Sequence, residues 1–377
     1  MSVFLFLKQI VDVLYPYHWL DYMMVIMAGI ALIYQIMLVR PDIKKHITFS
    51  DMIIGIFGVL LTVSFMKDIN AYGIYVKVLS AFLMYFVGRI YYDRIRECTG
   101  ALVTSAYFVV YLNFFYRLYS FGREFLQVKN AQGDLYYYDT DMAFAMVLAM
   151  IFIGMYGRNS LRKYITLFLI CPYMVIFSDA GIQKVLMIVL LFLMFLYLMD
   201  KAMGKKKIVN TCLFVTIAGL LCMVVLLMIP VFIGEGGMFG SVAGEGILSV
   251  ENMNNRYVKW QAVWNEFRDA DINSQLFGVN LSRSVENLYL KTLYSTGIAG
   301  LVLLFVFIAG VVYYILQIEV RKTFFVTILL TVILLGTGVT VASMEATQMS
   351  WFPMMFAGMV ISSVQVKGLE QTEEEVW

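Results

Sequence analysis

The chain has 377 residues, a formal net charge of +2, 61% hydrophobic residues and only 14% charged ones. A soluble globular domain is about half apolar, so this composition, with a mean hydropathy of +0.80, excludes a soluble fold, and no block of like charge suggests nucleic-acid binding. The length would suit two or three soluble domains. Apolar runs of membrane-spanning length recur throughout, however, and predict one integral membrane domain over residues 1–377, all-α and polytopic.

In chain order, residues 1–17 carry Lys8 and Asp12 in a short apolar run with no small-residue cleavage site. They predict an interfacial amphipathic helix or a short span rather than a cleavable leader. Spans are expected at about 19–39, 50–66, 74–92, 98–116, 140–157, 164–178, 182–199, 208–233, 287–317, 323–343 and 347–364. That makes about 11 membrane helices, or 12 if the first segment crosses. Basic residues fall in every second connection: Arg40, Lys44 and Lys45; Arg94 and Arg96; Arg158, Arg162 and Lys163; Lys201 and Lys205 to Lys207; Arg321 and Lys322. The positive-inside rule places these in the cytoplasm. The alternate connections then face outward, and two of them are long, at about 117–139 and 234–286.

The four cysteines form no CxxC, and the chain holds only two histidines, so no metal site and no cofactor are expected. The chemistry gathers in the second outer loop. Residues 234–250 are glycine-rich and predict an irregular segment without a phosphate-loop motif. Asn254 or Asn255 then caps an expected helix running to about Asp269. At 100° per residue, Tyr257, Trp260, Val263, Trp264 and Phe267 share one face, and Arg256 lies within that face. A guanidinium among aromatic rings must stack, snorkel or meet an anion. Its planar fork suits a phosphate or pyrophosphate. The next helix is expected to start near Ser284, with Glu286 on its first turn and Arg283, Asn287 and Lys291 at the same water–membrane boundary. Glu286 there either complements the helix N-terminus or serves as a proton acceptor at the rim of a site. Asn287 is a cap or a sugar-binding amide. Gly297 and Gly300 predict close helix packing below.

The pattern Arg256, Trp260, Phe267, Leu276-Phe277-Gly278, Glu286-Asn287-Leu288-Tyr289-Leu290 and Gly297-Ile298-Ala299-Gly300-Leu301 resembles the signature segment of the O-antigen polymerase and ligase family. The resemblance covers about 50 residues, Arg256 to Leu301, and rests elsewhere on topology alone. It implies a glycosyltransferase in the cytoplasmic (inner) membrane of a bacterium, acting on its outer face. The substrate implied is an undecaprenyl-pyrophosphate-linked oligosaccharide of an O-antigen, capsule or exopolysaccharide, with a flippase and a chain-length regulator as partners besides the lipid bilayer. Ligases of the family usually carry His where this chain has Glu286, which tilts the expectation toward a polymerase. The family's Ser-Arg pair is matched only by Ser178 to Lys184, so Lys184, or Arg117 or Arg123 from the first outer loop, is expected to supply the second cation. Arg256 and Glu286 are then the catalytic candidates, and Lys184, Arg117, Arg123, Trp260, Arg283 and Asn287 the substrate-binding ones. The rival readings are a ligase, a lipid-linked oligosaccharide flippase and a non-catalytic scaffold. Helix centres that look almost free of charge weigh against a transporter.

Overall fold

The computed structural model describes residues 1–13, 18–39, 47–122, 139–178, 180–203, 211, 219, 250–318 and 320–374. Apart from 211, 219 and 250, the expected span at 208–233 and the glycine-rich segment 234–250 lie outside the described residues, as does Arg123. Among those described, the fold is all-α with no strand. Five helices are long and apolar enough to cross a membrane: Phe49–Lys67, Ile69–Ile90, Thr99–Ser120, Gly181–Ala202 and Leu288–Leu316. The chain is thus a polytopic, all-α membrane protein.

The described helices are numbered in chain order: α1 Ser2–Val13, α2 His18–Val39, α3 Phe49–Lys67, α4 Tyr72–Ile90, α5 Tyr92–Glu97, α6 Thr99–Phe121 and α7 Asp139–Tyr156. A broken span follows, made of α8 Leu161–Ile165, a π-helical turn at Thr166–Ile170, and α9 Cys171–Ile176. Pro172 opens the last piece; its missing N–H leaves an upstream carbonyl without its helical donor, a common cause of such a bulge. Then come α10 Gly181–Met203, α11 Val250–Arg268, α12 Ile272–Phe277, α13 Leu288–Leu316, α14 Arg321–Thr337 and α15 Thr347–Glu374.

Composition explains which faces point where. On α2, Trp19, Tyr22, Met23, Ile26, Met27, Ile30, Ile33, Tyr34 and Met37 are all exposed. They recur at helical spacing, so the exposed face is one apolar stripe. In water such a stripe would be an aggregation surface; in a bilayer it is the lipid face.

The interior is organised around α4 and α15, which run parallel in the most extensive helix pairing of the fold. Gly88 and Gly358 make it possible: a Cβ at Gly88 would lie 1.9 Å from the Met355 carbonyl oxygen, and one at Gly358 2.1 Å from that of Tyr85. Small residues let helix backbones approach where no water drives association. The pair is tied at both levels. Trp351 Nε1 donates to Ser80 Oγ at 2.9 Å. Arg89 donates to Ser362 Oγ at 2.9 Å and to Asp51 from Nε and Nη2, at 3.0 and 2.8 Å.

Basic residues gather at one end. Arg321 pairs with Asp200 at 2.7 Å, Lys322 lies 4.5 Å over the Tyr156 ring, and Lys163 donates to the Gly154 and Gly157 carbonyls. The loop helices α11 and α12 belong to the opposite end.

The segment 1–17 is expected as an interfacial helix or a short span; within it, α1 is a short helix packed among α6, α2, α7 and α15, with Leu5, Lys8, Gln9, Asp12 and Val13 buried. Lys8 of α1 is buried in the bundle together with Asp12, Asp21 and Asp141, three carboxyl groups near the ends of their helices. The charges are few per helix, which hid them from a span-by-span reading; tertiary packing brings them together.

Candidate functional site

The aromatic face read from the sequence is real, and protein covers it. Tyr257, Trp260, Val263 and Phe267 of α11 pack with Val285, Leu290, Leu293 and Tyr294 as a second, smaller core. Trp260, expected to stack on sugar or lipid, is 1% exposed and stands edge-on to Tyr257, with ring centroids 5.6 Å apart. Its apolar ring found the first turns of α13 before any ligand. The helix starts at Val250, four residues before the expected cap.

The chain returns to the bundle through α12. Asp271 caps it, accepting from the backbone N–H groups of Asn273 and Ser274; the Ser274 hydroxyl, which donates to its other oxygen, and then these backbone bonds hold its carboxyl below the usual range. Gly278 ends it with φ 96° and crosses over Gly297, where φ 72° interrupts α13. Both values lie in the left-handed half of φ space that suits glycine. A Cβ at Gly278 would sit 2.0 Å from the Ser295 carbonyl oxygen, and one at Gly297 2.2 Å from that of Leu276. Val279 N–H donates to the Tyr294 carbonyl, and Lys67 Nζ donates to that of Gly278, at 2.8 and 2.7 Å. The glycines of the family-like motif therefore interlock a loop with a broken helix.

Glu286 lies just before α13, not on its first turn, because the helix starts at Leu288 with Asn287 as its cap. Asn287 is fully buried. Its Oδ1 accepts from Leu290 N–H at 2.9 Å, and its Nδ2 donates to the Val339 carbonyl at 2.8 Å. Leu288 N–H donates to the Gly338 carbonyl. Of the two expected roles, cap or sugar-binding amide, Asn287 takes that of the cap, and its amide nitrogen is engaged by the Val339 carbonyl. These bonds also explain why α14 stops at Thr337 rather than near 343: residues 338–340 turn their carbonyls toward the start of α13 and toward Arg256.

The Thr340 carbonyl accepts from Arg256 Nη1 at 2.5 Å, and Glu286 Oε2 lies 3.6 Å from the same nitrogen. Lys259 Nζ is 4.0 Å from Glu286 Oε1. The Arg256 and Glu286 side chains are 30% and 51% exposed. The two catalytic candidates therefore meet at an open mouth, with the guanidinium anchored on one side and accessible on the other. Thr340 had no signal in the sequence: its contribution is a backbone oxygen, 84 residues from its partner.

The remaining candidates separate. Arg283 pairs with Glu266 at 2.7 Å, and Tyr294 donates to the other oxygen of that carboxylate at 3.1 Å. Arg117, expected in a loop, is in α6 and buried, its guanidinium over the rings of Tyr173 and Phe177. Lys184 is half-buried on the first turn of α10. Neither is among the basic partners of Glu286, which are Arg256 and Lys259. Lys291 does sit behind the mouth, but buried: it donates to the Leu281 and Arg283 carbonyls and pairs with Glu345 at 3.1 Å. Glu345 was missed. A lone carboxylate between two apolar helices was its only mark. Burial pushes its carboxyl up, and Lys291 beside it pulls the other way. Lys291 and Glu345, with Thr292, Ser295 and Thr296, line a cavity of about 30 Å³. Among the described residues, no three His, Cys, Asp or Glu side chains gather as a metal site.

No protein-family model matches the chain, and no curated protein matches it.

Proposed function

We propose that the protein polymerises a bacterial surface polysaccharide from undecaprenyl-pyrophosphate-linked repeat units on the outer side of the membrane. The observation that carries this reading is the half-exposed Arg256–Glu286 pair beside the anchoring Thr340 carbonyl, at the end of the bundle opposite the Arg321–Asp200 pair. A hydroxyl oxygen of the incoming unit attacks the anomeric carbon of the growing chain. The carbon–oxygen bond to pyrophosphate breaks, and undecaprenyl pyrophosphate leaves with the electron pair. Its phosphate oxygens compete with Glu286 for the guanidinium. Bound pyrophosphate takes Arg256, which stabilises the charge of the leaving group. The freed Glu286 carboxylate accepts the hydroxyl proton.

The test is deletion of the gene, followed by electrophoresis of surface glycans and analysis of the lipid-linked pool, with re-expression of wild type, Arg256→Ala and Glu286→Gln. Loss of the polymer ladder, with single units still reaching the outer leaflet, supports the polymerase; full-length polymer held on its carrier points to a ligase. A second reading has one observation in its favour. Lys8, Asp12 and Asp141 are charged groups buried in the bundle, and transporters use charged groups within their helix bundles. Lipid-linked units trapped on the inner leaflet of the deletion strain would make the protein a flippase.

A further inference from the structure

A second group of polar atoms lies inside the bundle, remote in sequence from Arg256 and Glu286. Asp12 of α1, Asp141 of α7 and Gln348 of α15 line one cavity of about 10 Å³, together with Gln9 and apolar side chains including Phe144 and Leu148. Gln348 Nε2 donates to Asp141 Oδ1 at 3.0 Å. That bond leaves Gln348 Oε1 and Asp141 Oδ2 without a donor, and Asp12 Oδ2 is in the same state. All three side chains are more than nine-tenths buried. Buried acceptors without partners are costly and mark a missing occupant. Gln348 makes this more than an acidic cluster: it lines the cavity, its amide nitrogen is held by Asp141, and its buried oxygen has no donor.

The charges point the same way. Lys8 pairs with Asp12, lies 3.7 Å from Asp21 and sits 4.1 Å over the Trp351 ring. Lys77 lines the adjoining cavity with Asp21 and Thr347. Three carboxylates, Asp12, Asp21 and Asp141, thus face two ammonium groups, Lys8 and Lys77. With all five groups ionised, one negative charge would be left over in a water-poor interior. The three free atoms are all oxygens, the donors that hard cations prefer. The cavity is close to the volume of one water-sized probe, too small for a hydrated divalent ion.

We propose that this cavity binds one dehydrated monovalent cation of about sodium size, held by Asp12 Oδ2, Asp141 Oδ2 and Gln348 Oε1. The proposal stands independently of the glycosyl-transfer reading, because it concerns other residues and its readout is binding.

The full-length protein is purified in detergent and its thermal unfolding followed in sodium, potassium and choline chloride at equal ionic strength and fixed pH. Sodium should raise Tm saturably, potassium less and choline not at all; Asp141→Asn should lose the sodium response. Equal Tm in sodium and choline, or an Asp141→Asn protein that keeps the sodium shift, overturns the site. Equilibrium binding of radioactive sodium to wild type keeps the test open if that variant fails to fold. One ion per chain is expected, and none bound overturns the proposal. Stability that rises with acidity in choline, without sodium binding, would assign the excess charge to a shared proton and equally overturn it.

Discussion

Two groups of charges in this bundle are solvated in opposite ways. The Arg256 and Glu286 side chains are 30% and 51% exposed, whereas those of Lys8 and Asp12 are 1% and 6% exposed. An exposed ion pair contributes about 0–1 kcal/mol to stability, so Arg256 and Glu286 can exchange each other for a ligand at little cost. A buried pair holds its members together because each is costly alone. The difference teaches where to look for chemistry and where to look for architecture. Adaptable charges lie at the mouth, and committed charges lie inside.

The largest effect should come from breaking the committed group. Lys8→Met leaves Asp12 and Asp21 without their nearest ammonium and should destabilise by about 3–5 kcal/mol, read as a fall in Tm and in membrane-inserted yield. Adding Asp12→Asn should recover part of that loss, and a double variant no better than the single one would break the comparison. Next comes the scaffold of the mouth. Gly297→Ala places a Cβ against the Leu276 carbonyl at φ 72°, and the strained backbone alone costs about 1–3 kcal/mol. It should lower polymer formation and thermal stability together while leaving any sodium response intact.

Smaller still is the effect of Arg256→Ala on stability, expected within about 1 kcal/mol although polymer formation is lost. A large drop in Tm would recast Arg256 as structural. The smallest effect is a slope. Burial raises the Glu345 carboxyl, so the folded state holds this proton more tightly than the unfolded one. Its contribution to stability is therefore greatest at low pH and falls as pH rises from the ordinary carboxylate value through the raised one. Glu345→Gln should flatten that part of the Tm–pH curve, and an unchanged curve would remove Glu345 from the account.

The membrane helices were legible because apolar runs of the right length leave little choice of structure. The observed α2, α3 and α4 begin and end within about two residues of the expected spans. The aromatic face of α11 was legible for the same kind of reason, as a periodic pattern. What covers that face was not: periodicity says that Trp260 is apolar-facing, and only the fold says that it meets α13 rather than lipid. Arg256 and Glu286 could be paired because both belong to the one loop segment that carries the family resemblance. Thr340 and Glu345 could not, since both reach the site from a turn that lies more than 50 residues further along. Lys8, Asp12, Asp141 and Gln348 each look ordinary alone, and their meeting depends on three helices whose order in space no local pattern encodes.

The place of α15 has a consequence for how the protein is made. Trp351 covers Lys8, Gln348 engages Asp141, and Gly358 receives the backbone of α4. These residues are synthesised after the helices that they join. Until they arrive, α1, α4 and α7 wait in the membrane with an open seam lined by charge. A nascent chain stopped before Thr347 would expose that seam to lipid and to quality-control proteases, so α15 acts as the closing stave for the helices made before it.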